Sequence, residues 1–204
     1  YAHYGFNEFI LALGYKGEMI RDYFLRLPAY HRDFTLDSSN PNAITFHSAH
    51  NEPFKITFVD TGDESLTGER ILRVKKYIPE DTFMVTYGDG LADIPITALV
   101  NFHSAQGTIG TLTAVRPYSK YGLLDIDHQK KKAMQFVQKP IMQDFVSGGF
   151  MVFNRDAFNY FDDGIMENSF PKLIREGELS VYTHNGFWGS MDTYWEMEEL
   201  NKLW

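Results

Sequence analysis

The chain has 204 residues, of which 44% are hydrophobic and 16% aromatic, and it carries a formal net charge of −8. This composition is typical of a globular protein with its own core, and the negative charge opposes binding to nucleic acid or anionic membranes, so we expect neither partner. The lack of cysteine excludes disulfides and thiolate zinc sites and agrees with a reducing cytoplasm, the location that we expect.

Strands and helices alternate along the first half of the chain. Predicted strands begin at Glu8, Lys55, Thr82 and Thr108, and a segment with helical apolar spacing follows each of the first three. This alternation predicts right-handed βαβ crossovers and a mostly parallel, doubly wound, Rossmann-like α/β sheet. The chain opens with an apparent helix end that leads directly into a core strand, so we expect a preceding βα unit of roughly 30 residues to be missing.

The second half departs from this alternation. Strands at 121–127 and 133–140 predict an antiparallel hairpin, with the basic run 130–132 at its solvated tip. Two further strands, 148–153 and 179–184, enclose a helix that Gly177 ends. The predicted sheet is therefore mixed, with an antiparallel hairpin region.

The segment TFMVTYGDG, from Thr82 to Gly90, is the most informative in the chain. Residues that favour a strand deliver Asp89 into a loop between Gly88 and Gly90, where no side chain blocks an approaching ligand. Ligands of open α/β sheets bind beyond the carboxyl ends of the strands. A strand, an acidic turn and then a helix indicate a functional site, although Asp-Gly alone also signals a hairpin turn.

A second carboxylate, Asp192, precedes the last predicted helix. Thr193 and Glu196 have the spacing of a capping box, so Thr193 can cap the helix and leave Asp192 for a ligand. The alternative is that Asp192 itself is the cap. Two carboxylates from distant segments suit Mg²⁺, which takes oxygen ligands and shares them with substrate phosphates.

Two further candidates are weaker. Lys139 follows the second hairpin strand and precedes Pro140, and it is either a point charge for a phosphate or an ordinary surface lysine. The polar loop from Asp60 to Ile71 precedes a helix and can offer backbone N–H groups to anions or base edges. For that loop the alternative is that Ser65 or Thr67 only caps the helix.

Together these segments resemble the sugar-1-phosphate nucleotidylyltransferases, and within them the cytidylyl-transferring branch. The resemblance covers nearly the whole chain in the right order, through LGYKGEMIRDYF, VDTGDESLTGERILRV, TYGDGLADI, TLTAVRPYSKYGLLDID, VQKP, SGGFMVFN, GELSVYTHNGFWGSMDT and LNKLW. The VDTG…TG pair and GFW..MDT are specific to that branch, whereas strand-then-GDG and the Lys-Pro pair are more widespread.

The resemblance implies a role for each candidate residue. Asp89 and Asp192 would hold a catalytic Mg²⁺, and Lys139 would contact the sugar phosphate. The implied nucleotide contacts are Thr67, Gly68, Arg70, Gly88 and Asp89. The implied sugar contacts are Tyr121, Gly122, Gln138, Lys139, Gly148 and Gly149. The family also implies one domain over 1–204, with residues 1–118 mainly for the nucleotide and 119–204 for the sugar and the C-terminal helix.

The implied reaction converts CTP and α-D-glucose 1-phosphate into CDP-glucose and pyrophosphate, an early step towards dideoxysugars of bacterial surface polysaccharide. The family further implies a homo-oligomer. Exposed aromatic residues near the C-terminus, Tyr194, Trp195 and Trp204, are either a subunit contact or part of the chain's own core.

Three departures from the family pattern leave alternatives open. The glycine-rich N-terminal loop is absent from these residues, Gln138 stands where most relatives have Glu, and Ser147 stands where they commonly have Asn. Glutamine donates and accepts hydrogen bonds whereas ionised glutamate only accepts, so the change bears on the identity of the sugar more than on the reaction. The alternatives are uridylyl or guanylyl transfer to another sugar phosphate, and a catalytically silent relative that binds a nucleotide sugar.

Overall fold

The computed structural model describes residues 1–40, 43–48 and 54–203. The α-helices of this part of the chain are α1 (Gly17–His31), α2 (Thr67–Val74), α3 (Ile96–Gln106), α4 (Phe170–Glu176) and α5 (Tyr194–Leu203). The strands are β1 (Glu8–Leu13), β2 (Phe34–Leu36), β3 (Ile44–Phe46), β4 (Lys55–Asp60), β5 (Thr82–Thr86), β6 (Gly90–Ala92), β7 (Gly110–Val115), β8 (Leu123–Asp127), β9 (Lys132–Val137), β10 (Val146–Asn154), β11 (Leu179–Thr183) and β12 (Trp188–Ser190). Among the described residues no helix is long and apolar enough to cross a membrane.

The residues pack into two compact units. The first contains Tyr1–Pro79 and Phe158–Phe170, and the second contains Glu80–Ala157 and Pro171–Trp204. These units describe packing and not ligand binding, so the single domain and its predicted nucleotide and sugar halves stay predictions.

In the first unit, β1 and β4 form a parallel pair. The register runs from Glu8 opposite Lys55 to Leu13 opposite Asp60, which confirms both predicted strands. Parallel neighbours need a crossover connection, which includes α1 and the unpredicted antiparallel pair β2–β3. Beyond the paired ends, the buried Thr61 hydroxyl donates to the Leu13 carbonyl at 2.7 Å and joins the two chain segments.

In the second unit, four strands form a mixed sheet in the order β11-β7-β10-β5. The pair β11–β7 is parallel, while β10 is antiparallel to both β7 and β5. Met151, Val152 and Phe153 of β10 are completely buried. Consecutive apolar residues are expected in a strand that is covered on both faces. The structure confirms an α/β fold with parallel and antiparallel strands.

A chain of polar side chains joins α3 to this sheet. The Nδ1 atom of buried His103 lies 2.8 Å from the Thr111 hydroxyl, which is 2.7 Å from the Ser180 hydroxyl. Burial lowers the pKa of His103 below its ordinary value of 6.5. The neutral imidazole is therefore part of the packed core of the second unit.

Strands β8 and β9 form the predicted hairpin, from Leu123 opposite Val137 to Asp127 opposite Lys132. Backbone hydrogen bonds continue the pairing between residues 117–119 and 140–142, which we call the hairpin base. The Ser119 N–H donates to the Pro140 carbonyl at 2.8 Å, and the Met142 N–H donates to the Pro117 carbonyl at 2.9 Å. The hairpin is thus fixed at its open end.

The aromatic residues at the start of α5 are exposed, since Tyr194 and Trp195 are 73% and 58% accessible. Trp204, the third aromatic of that set, lies outside the described residues. A subunit contact at this surface, and the homo-oligomer itself, stay predictions.

Candidate active site

The two predicted metal-binding carboxylates belong to segments that pair with each other. Asp89 immediately precedes β6, and Asp192 follows the end of β12. The strands are antiparallel, with Ser190 opposite Gly90, and the Met191 N–H donates to the Asp89 carbonyl at 2.9 Å. The fold therefore brings Asp89 and Asp192 to the same end of the β6–β12 pair.

This pair of carboxylates suits a magnesium ion that is shared with substrate. A Cβ atom at Gly88 would meet nothing within 4 Å, so the space beside Asp89 is open. Among residues 1–40, 43–48 and 54–203, no group of three or more His, Asp or Glu side chains could hold a metal ion. Mg²⁺ commonly uses one or two carboxylates together with waters and substrate phosphates. Asp89 and Asp192 fit that donor set, and their binding of Mg²⁺ stays a prediction.

Lys120 is a charged neighbour of Asp192 that the motifs did not reveal. Its Nζ atom lies 3.1 Å from Asp192 Oδ2 and 2.8 Å from Glu196 Oε1. Hydrogen bonding to Glu196 and then Asp192 raises the pKa of Lys120, and the same contact lowers the pKa of Glu196. Lys120 and Asp192 are more than half exposed to solvent, so their ion pair matters more for geometry than for stability. In the sequence the only signal was the position of Lys120 beside the predicted sugar contacts Tyr121 and Gly122.

A capping box fixes the first turn of α5, as predicted. The Thr193 hydroxyl accepts from the Glu196 N–H at 3.2 Å and donates to Glu196 Oε2 at 3.0 Å. Asp192 instead accepts from the hydroxyl of Ser190 at 3.2 Å and from the ammonium of Lys120. The alternative in which Asp192 caps the helix is therefore wrong.

Lys139 has a backbone conformation that is uncommon for any residue other than glycine. Its φ angle is 45°, and the following Pro140 further restricts the backbone before it. The ammonium lies 4.5 Å from the centroid of a Trp195 ring. Lys16 and Lys131 also have positive φ angles, so this backbone conformation does not distinguish the two predicted roles, and the contact of Lys139 with a phosphate stays a prediction.

The predicted sugar-binding glycines Gly148 and Gly149 lie where the register between β10 and β7 shifts. Gly149 has a φ angle of 75°, and a Cβ atom there would lie 2.8 Å from the Tyr87 ring. The Trp188 indole N–H donates to the Gly148 carbonyl at 2.8 Å, and the Tyr87 N–H donates to the Gly149 carbonyl at 3.3 Å. We call Gly148 and Gly149 the glycine bulge. Its two hydrogen-bond partners, Tyr87 and Trp188, shortly precede Asp89 and Asp192 in the sequence.

The remaining predicted sugar contacts lie at the open end of the hairpin. Tyr121 is 77% exposed, and its N–H donates to the Ser119 hydroxyl at 3.2 Å. Gly122 lies against the Phe136 ring, and a Cβ atom there would be 3.0 Å from Gln138 Oε1. A side chain at residue 122 would require the exposed Phe136 ring to move. Gly122 and Gln138 are therefore direct neighbours across the hairpin.

At the start of α2, two predicted nucleotide contacts already have partners in the protein. The Thr67 hydroxyl accepts from the Met166 N–H at 2.8 Å. The Gly68 N–H donates to the Gly164 carbonyl at 2.9 Å. Both residues therefore have a structural function within the first unit, and their contact with a nucleotide stays a prediction.

The third nucleotide candidate, Arg70, is also held by the protein. Its guanidinium donates to the Thr61 hydroxyl at 2.7 Å and lies against Gly14, where a side chain would clash with it. The Ser65 hydroxyl donates to the Thr61 carbonyl, and no side chain caps α2 within the described residues. The alternative in which Ser65 or Thr67 caps α2 is wrong.

Comparison with known proteins decides the family. The profile described as nucleotidyl transferase matches residues 38–202, most of the chain. The chain belongs to the nucleotidyl transferase family. This confirms the family predicted from the motifs.

Two curated relatives align with the full chain and with 80% of their own length. Identity is 41% to the probable glucose-1-phosphate cytidylyltransferase of Bacillus subtilis and 37% to the glucose-1-phosphate cytidylyltransferase of Salmonella typhi. These names agree with the branch that the motifs indicated. The crystal structure of HddC from Yersinia pseudotuberculosis has a similar fold, with a TM-score of 0.65 at 18% identity over 99% of this chain and 81% of that protein.

Proposed function

We propose that this nucleotidyltransferase transfers a cytidylyl group from CTP to α-D-glucose 1-phosphate, forming CDP-glucose and releasing pyrophosphate. The observation that carries the proposal is the pairing of β6 with β12. In this pairing the N–H of Met191, the residue before Asp192, donates to the Asp89 carbonyl. The two relatives named glucose-1-phosphate cytidylyltransferase support the choice of nucleotide and sugar.

The reaction requires two anions to meet. A phosphate oxygen of glucose 1-phosphate attacks the α-phosphorus of CTP and forms a new P–O bond. The bond from the α-phosphorus to the bridging oxygen breaks, and pyrophosphate leaves with that electron pair. Because the reacting groups repel each other, positioning and charge compensation supply most of the catalysis.

The proposed charge compensation comes from a Mg²⁺ ion held by two carboxylates and from one lysine. Asp89 and Asp192 would hold Mg²⁺, which supplies positive charge to the phosphates when it is bound. Lys139 brings an ammonium group to the sugar phosphate and lowers the repulsion between the substrates. Lys120, within 3.1 Å of Asp192, keeps that carboxylate in place before the substrates bind.

The proposed sugar contacts are the glycine bulge and the open end of the hairpin. The carboxamide of Gln138, next to Gly122, can both donate to and accept from sugar hydroxyls. Tyr121 is exposed beside them and offers a phenol to the same ligand. Thr67, Gly68 and Arg70 are the proposed nucleotide contacts, and the support for them is the resemblance of their motif to the family.

Pyrophosphate release with glucose 1-phosphate and each of CTP, UTP, GTP and ATP tests the proposal. CTP should give the highest kcat/KM, and release should require Mg²⁺. A preference for UTP or GTP would contradict cytidylyl transfer and favour one of the other nucleotidyl transfers. No release with any of the four, including with other sugar 1-phosphates, would favour the catalytically silent alternative.

A further inference from the structure

The first turn of α5 contacts two lysines that flank the hairpin base. Lys120 Nζ lies 2.8 Å from Glu196 Oε1, and Lys139 Nζ lies 4.5 Å from the centroid of a Trp195 ring. Trp195 and Glu196 are consecutive, so one turn of helix holds both cations. The helix begins two residues after Asp192, the predicted metal ligand, which Lys120 also contacts.

The Trp195 indole has the properties of a platform for the Lys139 ammonium. Tryptophan is the strongest aromatic partner for a cation, and the distance here is within the roughly 6 Å at which that attraction acts. Trp195 is 58% exposed and Lys139 is exposed as well, so ligands in solution can reach the ammonium. An ammonium has three N–H donors, and contact with the ring on one side leaves donors for a phosphate on the other.

The backbone of Lys139 also limits where its side chain can go. Its φ angle is 45°. The next residue, Pro140, accepts a hydrogen bond from the Ser119 N–H, which fixes the backbone beside Lys139. A lysine side chain has much rotamer freedom, which it loses when it fixes a ligand. A ring that already restrains the ammonium removes part of that entropic cost before the ligand arrives.

We propose that Trp195 is a positioning residue for Lys139. Its ring holds the ammonium where the phosphate of a sugar 1-phosphate binds, and the contact persists in the complex. This inference rests on the proposed function, because it requires Lys139 to contact the sugar phosphate. It assigns a substrate-directed role to a residue that the motifs suggested only as a subunit contact or part of the core.

Steady-state kinetics of Trp195→Leu test the role. Loss of the ring should raise KM for glucose 1-phosphate roughly two- to fivefold, the factor that an exposed cation–π contact supplies, and should leave KM for CTP unchanged. Trp195→Phe keeps an aromatic face and should raise KM less. An unchanged KM for glucose 1-phosphate in Trp195→Leu would overturn the proposal. A lowered KM would also overturn it, because the ring would then hold the ammonium away from the phosphate.

Tyr194→Leu is the matched control. Tyr194 is the preceding aromatic residue, is 73% exposed, and donates its hydroxyl to Glu198 at 2.9 Å. Its replacement removes a similar exposed ring from the same helix turn and should leave KM for both substrates unchanged. A rise equal to that of Trp195→Leu would assign the effect to the helix in general and overturn the specific role of Trp195.

Proton NMR tests the contact without relying on activity. The ε-methylene protons of Lys139, assigned with Lys139→Met, should be shifted upfield by the ring current of Trp195 and should lose that shift in Trp195→Leu. The shift should persist after glucose 1-phosphate is added. Its absence in the free protein, or its loss on addition of the ligand, would overturn the inference. If the wild-type protein shows the upfield shift but no nucleotidyl transfer activity, the proposed function is refuted and the contact between Trp195 and Lys139 still stands.

Discussion

The start of α2 and the end of the β6–β12 pair carry predicted ligand contacts of different character. At α2, Thr67 and Gly68 bond to the backbone of residues 166 and 164, and Arg70 bonds to Thr61. At the β6–β12 pair, a Cβ atom added to Gly88 would meet nothing within 4 Å. Asp192 is bonded to Lys120 and Ser190, so the contrast with α2 concerns the open loop beside Asp89. An open loop is the stronger candidate for a ligand, because a group that is already bonded within the protein must exchange partners before it can bind.

Asp89→Ala should have the largest effect on activity. An unchanged activity would contradict the assignment of a ligand site to the loop beside Asp89. Loss of a metal-binding carboxylate should reduce Mg²⁺-dependent pyrophosphate release by about 10³-fold or more, since a bound metal supplies several kcal/mol of charge stabilisation. Thermal unfolding should be nearly unchanged, because the loop beside Asp89 is open. Asp156→Ala, which removes an exposed carboxylate of the same unit, is the control and should retain activity. Wild-type turnover in Asp89→Ala would exclude the metal role.

Lys139→Ala should follow, with a loss on the order of 10²–10³ in rate, as is typical for the removal of one preorganised charge donor. The measurement is kcat and KM for glucose 1-phosphate at saturating CTP. Lys202→Ala is the matched control. Lys202 is an exposed lysine that pairs with Glu199 on its own helix, at 2.5 Å, and has no predicted ligand. Unchanged values of both constants in Lys139→Ala would leave Lys139 as a surface residue.

A pair of glycine substitutions sharpens the comparison through stability. A Cβ atom at Gly68 would lie 2.7 Å from the Gly164 carbonyl oxygen and 2.8 Å from that of Asp162, so Gly68→Ala forces backbone to move. We expect it to lower the free energy of unfolding by about 1–3 kcal/mol, as overpacking does. Gly88→Ala should change that free energy by less than about 0.5 kcal/mol, as is usual for surface substitutions. Urea unfolding of both variants measures the difference, and equal losses would contradict the contrast between the two regions.

The smallest effect concerns the buried core of the second unit. Burial lowers the pKa of His103 from 6.5, so below pH 6.5 the unfolded chain binds a proton that the folded protein resists. The contribution of this residue to stability is complete above pH 6.5 and should decrease as the pH falls through that value. Urea unfolding between pH 7.5 and 5.5 should show a shallower decrease for His103→Gln than for the wild type. Parallel decreases would assign the pH dependence to other groups.

Local patterns predicted local structure well. The strand Lys55–Asp60 and the capping box of Thr193 and Glu196 depend on neighbouring residues, and the structure confirms both. Strands β6 and β12 were not predicted, because three residues carry too little periodicity and their pairing is a long-range event. Lys120 was missed for a related reason: its role depends on Asp192, seventy-two positions away in the sequence.

The separation of β6–β12 from the β8–β9 hairpin has a consequence for engineering. Both carboxylates lie just outside one short antiparallel pair, whereas Gln138 and Lys139 follow the last strand of the hairpin. A hairpin exchanged with that of a relative that takes another hexose, cut at residues 117 and 142, would replace the predicted sugar contacts at residues 121, 122, 138 and 139. It would preserve the backbone bond between Asp89 and Met191 but would also replace Lys120, which bonds to Asp192. The proposed sugar contacts and the proposed metal ligand Asp192 are thus coupled through Lys120, so a transplanted hairpin must keep a lysine at residue 120 to hold that carboxylate.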